Sequence, residues 1–390
     1  MFENLRDRID RDISHLSNKA KRTLTLGASG VDSLWLSQAA LQMRADKKLF
    51  VIIADTAAQC LRLKDEIRYF APSLNVVYFP DWETLPYDLM SPHQDLVSER
   101  LEILYKLSNR DLKSDAPDVV LLTCTTASQA IAPVQYLSGR VFFFKKGEEI
   151  NSATLRERLV SAGYQNVSQV VAPGEFSVRG SLIDIFPMGA ATPFRLDLFD
   201  TEIDSIRAFD PDTQRSLELV DEVRVLPGRE VPVDADSLMK FRAKWREIFP
   251  GDPTKAIIYK DLSHGIINAG IEYYLPLFFD DSATFFDYLN PEKTLIALLG
   301  DNEAALNRFM EETQGRYRFL KADAERPVLP PEMLYLNSEN FFSHLKPFVR
   351  FQGKTEQTPP TEFLLTARQK NRLTTLSGSL LKRKIENTAF

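Results

Sequence analysis

The sequence has 390 residues, is 44% hydrophobic and 26% charged, and carries a formal net charge of -6 with a pI near 5.5. At roughly 100–200 residues per domain this length holds two to four domains. The acidic balance excludes a generally basic nucleic-acid coat, though not a local basic patch. Cys60 and Cys124 are the only cysteines, and the four histidines are scattered. Neither a disulfide framework nor a thiolate metal site can be built from them, and both read as buried thiols in a reducing compartment. The charged start Met1-Phe2-Glu3-Asn4 is no signal peptide. No apolar run reaches the ~18 residues of a membrane helix. The expected location is the cytoplasm.

Phe2, Leu5, Ile9, Ile13 and Leu16 recur at helical spacing. Arg22 to Leu26 reads as a strand, Gly27 to Gly30 as a turn, and Ser33 to Met43 as a helix. The β-branched run Phe50 to Ala54 predicts a parallel strand buried on both faces. A helix over Ala57 to Phe70 follows, then a strand over Val76 to Phe79, a helix over Gln94 to Leu107 and a strand over Val119 to Thr123. Strands alternating with helices predict a doubly wound parallel sheet.

The rhythm changes near residue 138. Short strands are predicted over Val141 to Phe144, Gly180 to Ile185, Phe194 to Phe199, Ile203 to Phe209 and Val223 to Leu226, separated by turn residues such as Pro173-Gly174 and Asp210-Pro211-Asp212. One helix over Ser152 to Ala162, with Ser152 as its N-cap, interrupts them. Helices return at Asp236 to Ile248 and Asn302 to Glu312, with a strand-like run over Lys293 to Leu299. From Arg350 the chain reads as a linker running into a basic helix over Arg368 to Lys384. The expected organisation is a first α/β part (1–138), an inserted α+β domain (139–227), a mainly helical segment completing the first part (228–349), and a linker and start of a further domain (350–390).

The turn Gly27-Ala28-Ser29-Gly30-Val31-Asp32-Ser33-Leu34 sits where a nucleotide-binding loop would, between strand and helix. Against the pattern G-x-x-x-x-G-K-[ST], the second glycine falls on Asp32, the lysine on Ser33 and the hydroxyl residue on Leu34. The lysine that reaches the phosphates and the hydroxyl that holds Mg²⁺ are both missing. Asp32 adds negative charge where a polyphosphate would lie. Gly27 and Gly30 therefore read as a tight turn, and Gly27, Gly30, Asp32 and Ser33 as a phosphate loop that does not bind ATP. Asp55 reads as a cap for the next helix. No cofactor, metal or catalytic residue is expected.

Three stretches carry a family resemblance. They are Pro80-Asp81-Trp82-Glu83-Thr84-Leu85-Pro86-Tyr87-Asp88 with Ser91 to Leu101, Gly174 to Pro187 running into Phe194 to Arg207, and Gly270 to Phe279. The first and third resemble the opening region of the bacterial transcription-repair coupling factors; the second resembles the domain they share with UvrB. The resemblance runs from about residue 20 to 350. It implies a UvrB-like fold, a degenerate P-loop-type parallel sheet domain with an inserted α+β domain, that has lost ATP binding. It also implies a non-catalytic module that recruits UvrA for nucleotide excision repair. In the longer proteins of the family, RNA polymerase and double-stranded DNA are further partners, through regions beyond these residues. The connection from Val76 to Gln94 is too short for the aromatic hairpin with which UvrB clamps DNA. Trp82 and Tyr87 read as anchors of that loop.

On a strand over Phe194 to Asp200, Phe194, Leu196 and Leu198 share one face, and Arg195, Asp197 and Phe199 the other. By the resemblance, Arg179, Arg195 and Phe199 match the positions that bind UvrA. Pattern alone leaves open that Phe199 packs beneath the helix at Ser152. Arg179 has the parity of Ile183 and Ile185, which places it on a partly covered face unless the register shifts near Gly180. Glu175, Asp184, Asp200, Glu202 and Asp204 read as solvated or turn residues. Two other functions compete: a UvrB-like DNA-dependent ATPase, opposed by Asp32, Ser33 and Leu34, and direct DNA binding through the basic tail.

Overall fold

The computed structural model describes residues 2–16, 22–27, 30–110 and 115–355. The basic helix expected at Arg368 to Lys384 lies outside the described residues, as do Ala28 and Ser29 of the glycine turn.

Helix α1 (Phe2–Ser14) buries Ile9, with Ile13 packed beside it. Strands β1 (Arg22–Gly27), β2 (Leu49–Ala54), β3 (Val76–Tyr78) and β4 (Val119–Thr123) alternate with helices α2 (Val31–Ala45), α3 (Ala57–Phe70) and α4 (Gln94–Ser108). Every position of β2 and β4 is buried, as continuous β-branched runs require when helices cover both faces. The one-turn helices α5 (Cys124–Ser128) and α6 (Val134–Ser138) lead away from the sheet. Cys60 and Cys124 are buried free thiols, each pushed up to about 12 by burial.

The chain then builds β5 (Phe142–Lys145), α7 (Ser152–Ser161), β6 (Gln165–Asn166), β7 (Glu175–Arg179), β8 (Leu182–Ile185), β9 (Phe194–Phe199), β10 (Glu202–Phe209), β11 (Ser216–Val220) and β12 (Glu222–Val225). Six of these strands form one sheet in the order β11-β10-β9-β8-β7-β6, antiparallel except where β6 joins β7, while β12 pairs with β5. The cap of α7 is Asn151, whose side chain accepts from the Thr154 amide, and not Ser152. Strands β6, β7 and β11 lie outside the predicted strands.

Afterwards come α8 (Ala235–Ile248), α9 (Ile257–Ser263), β13 (Thr294–Leu299), α10 (Asn302–Leu320), α11 (Pro331–Leu334), α12 (Ser338–His344) and β14 (Val349–Thr355). Strands β13 and β14 return to the first sheet, whose order is β1-β14-β13-β2-β4-β3 with every pair parallel. The stretch from Arg350, expected as linker, is thus a sheet strand as far as Thr355. Phe351 holds it there, buried with its ring 5.5 Å from Trp35 and 6.4 Å from Phe50. Asp55 caps no helix: Thr56 accepts from the Gln59 amide, while Asp55 accepts from the Asp301 amide beyond β13.

The loop between β3 and α4 is anchored by buried side chains and hydrogen bonds. Trp82 and Tyr87 are buried, as expected of anchors; the Tyr87 hydroxyl donates to the Leu329 carbonyl and Arg316 donates to the Pro86 carbonyl. Beneath the loop, Arg100 of α4 is fully buried. It pairs with Glu230, donates to the Pro80 carbonyl and to Gln129, and lies 4.6 Å from the Phe79 ring centre.

Candidate partner-binding face

The antiparallel sheet has an inner and an outer face. Ile183, Leu196, Leu198, Ile203 and Ile206 point inward and are buried. The outer face follows from register. Arg179 pairs with Leu182 across a two-residue turn whose first member, Gly180, has a φ of +61°. Leu182 pairs with Asp197, and Asp184 with Arg195. Paired residues share a face. Arg179 therefore lies with Asp184, Arg195, Asp197 and Phe199, and not with Ile183 and Ile185. Counting parity straight through the turn misplaces it.

Phe199 is 80% exposed and is not covered by α7. Arg195 is more enclosed. Its Nε and Nη2 donate to both carboxylate oxygens of Asp184 at 2.6 and 2.9 Å, and its guanidinium lies 4.7 Å over the Phe209 ring. Arg179, half exposed, donates to the same carboxylate. Asp184 is 1% exposed. It is no solvated residue, as sequence reading had it, but the buried anion that holds both arginines. The bond from Asp184 also raises the Arg195 guanidinium further above its ordinary value. A sequence signal exists only once β7, β8 and β9 are set in register.

The outer face divides in two. Segment 167–173 crosses one half, where Val170, Phe186 and Phe209 make a small buried cluster and Gln214 donates to the Val170 carbonyl. The other half, bearing Arg179, Asp197 and Phe199, is open. Arg195 sits at the boundary. A solvent-facing sheet face with a large aromatic and a half-exposed arginine can dock a protein surface; aromatic and arginine side chains are common anchors of such interfaces.

The glycine turn at the head of α2 is closed by its own side chain. Gly27 and Gly30 have φ of +96° and +87°. The Asp32 carboxylate, 1% exposed, accepts from the amides of Gly30 at 2.9 Å and Ser33 at 2.8 Å, and pairs with Arg62 of α3 at 2.8 Å. Ser33 donates back to the Gly30 carbonyl. Backbone donors at a helix start are what a phosphate would use, and here a carboxylate has them. Among the described residues, no cluster of His, Cys, Asp and Glu could hold a metal ion, and no helix is long and apolar enough to cross a membrane.

Residues 142–230 match the family model of the UvrB interaction domain, which spans the antiparallel sheet and its open face. The chain is an α/β module in which that match lies between strands β4 and β13 of one parallel sheet. Over 345 residues, 88% of its length, the chain is 41% identical to the transcription-repair-coupling factor of Haemophilus influenzae. It is 42% identical over 310 residues to that of Escherichia coli and 29% over 325 residues to that of Bacillus subtilis. It spans 29%, 26% and 26% of those relatives' lengths. The chain is homologous to the UvrB-like N-terminal region of the bacterial transcription-repair-coupling factors.

Proposed function

We propose that this chain serves transcription-coupled nucleotide excision repair as a recruitment module, and that the open face of its inserted domain binds UvrA. The observation that carries this is Phe199, fully displayed on an arginine-bearing sheet face within the residues that match the UvrB interaction domain. The likeness to transcription-repair-coupling factors supports the pathway, and the resemblance of Arg179, Arg195 and Phe199 to UvrA-binding positions supports the partner. Arg179 and Phe199 are direct contacts; Arg195 contributes mainly through Asp184. The module does no chemistry of its own, a reading supported by the Asp32 carboxylate standing where phosphate would bind.

Titration of UvrA with the Phe199→Ala chain tests the proposal. A central anchor is worth about 2 kcal/mol, or roughly 30-fold in affinity. The variant should weaken binding by at least that factor and keep its melting temperature, since Phe199 touches little of its own chain. Unchanged binding would overturn the proposal. A UvrB-like ATPase is the second reading; micromolar binding of Mg-ATP at the Gly27 turn would favour it.

A further inference from the structure

The open half of the sheet does not end at β9. Arg207 of β10 pairs across the ladder with Arg195 on one side and with Leu219 of β11 on the other. Leu219, Arg207, Arg195 and Asp184 therefore form one transverse row on the outer face. Arg207 is exposed, and among the described residues no side chain pairs with it. Leu219 is 63% exposed and Leu217 is 47% exposed.

Strand β11 is also the sheet's edge. Edge strands are normally blunted by charged side chains, proline, bulges or a covering element. This one, Ser-Leu-Glu-Leu-Val, has no lysine or proline; Glu218 and a register irregularity between Arg207 and Phe209 interrupt it, and Leu219 lies exposed on the outer face. Leu219, the cation of Arg207 and the exposed aromatic of β9 lie on the same face of one sheet. Continuity with the Arg179 and Phe199 face says which partner covers them.

We infer that the UvrA-docking surface runs from Phe199 across β10 onto β11, with Arg207 and Leu219 as contact residues. The inference rests on the UvrA reading and extends it. Two like-signed groups, Arg179 and Arg207, flank the neutralised Arg195–Asp184 pair. The partner surface thus places an acidic group opposite each arginine and an apolar patch opposite Leu219. Arginine offers carboxylates a bidentate fork, which suits such a match.

The test is titration of UvrA with the Leu219→Ala, Arg207→Ala and Arg207→Glu chains, with Phe199→Ala alongside and melting temperatures taken on the same samples. Leu219→Ala and Arg207→Ala should each weaken binding about tenfold, and Arg207→Glu more. All should melt as the parent does, because these side chains are exposed. Val160→Ala, at a half-exposed apolar residue of α7, should bind normally. Amide exchange supplies a readout free of substitution: UvrA should slow exchange at residues 216–220. If the Arg207 and Leu219 variants bind normally and β11 gains no protection while Phe199→Ala fails to bind, the surface stops at β9 and the extension is wrong. If Phe199→Ala also binds normally, the UvrA reading itself has failed.

Discussion

Asp184 changes how substitutions at this face must be read. Removing Arg195 deletes a bidentate partner of a carboxylate that has no access to water, and Arg179 alone must then hold the charge. Breaking a buried pair from one side costs about 3–5 kcal/mol; Arg195 is partly exposed, so somewhat less, about 2–3 kcal/mol, is expected for Arg195→Ala. Arg179→Ala, half exposed and singly bonded, should cost under about 1 kcal/mol. Urea titration of the two variants checks the order, and equal stability losses would show that Asp184 does not depend on Arg195. The faces of β9 were legible from alternation alone, because Phe194 to Phe199 is a regular strand. The buried aspartate was not, because its environment comes from two neighbouring strands. At the glycine turn the missing lysine was legible, while the use made of Asp32 was not: Arg62 is 30 residues away in sequence. Here the carboxylate acts as an internal anion, and the Arg62 bond to Asp32 holds that guanidinium above its ordinary value. Asp32→Ala should lose about 2–3 kcal/mol. Inorganic phosphate or sulfate should restore part of that loss, with chloride at equal ionic strength restoring none and the parent chain indifferent. A variant that ignores phosphate would show that the turn no longer has the geometry of an anion cradle.

Among the elements, the loop at residues 80–93 is held against strain. Glu83 and Tyr87 have φ of +57° and +65°, the left-handed region that non-glycine residues seldom enter. The contacts that hold them there include Glu272, which accepts from the Ser91 hydroxyl, which in turn accepts from the Gly270 amide. Burial raises Glu272 above its ordinary value of 4.5. A carboxyl raised in the folded state adds stability below its unfolded pKa and loses it as pH climbs through the folded pKa. Glu272→Gln, which keeps an acceptor for Ser91 without the charge, should therefore be more stable than the parent at pH 8. The difference should vanish near pH 4. Melting curves at the two values decide it, and a Gln variant less stable at pH 8 would mean that the ionised carboxylate is compensated by its surroundings. Trp82 and Tyr87 were legible as anchors because large aromatics beside proline seldom stay in water. Strands β11 and β14 were not. All positions of β11 but Val220 are exposed, so it shows no alternation. In β14 the sequence Arg-Phe-Gln-Gly-Lys mixes charge with a single aromatic, and only the pocket between Trp35 and Phe50 explains its place.

Over the whole molecule, the two sheets are coupled through α4. Arg100 reaches Glu230, at the end of the inserted domain; Glu102 pairs with Arg224; Ser98 accepts from the Gly189 amide; and Gln94 donates to the Gly228 carbonyl. One hydrophobic core runs through residues of both sheets. Arg100→Ala leaves Glu230 buried without its cation and should cost about 3–5 kcal/mol. Because that bond joins the two parts, calorimetry should then show the single unfolding transition separating into two. A single transition at unchanged temperature would place the coupling elsewhere.

Among the described strands, β1 pairs with β14 alone, so residues 22–27 wait for residues 349–355. During synthesis at about 5–20 residues per second, that wait is roughly 15–65 s. The inserted sheet, whose strands are neighbours in sequence, can close long before then. Under the proposed function, the UvrA-binding face would thus form while the parallel sheet still lacks β14, and a nascent chain paused short of β14 would display that face before the sheet that carries it is complete.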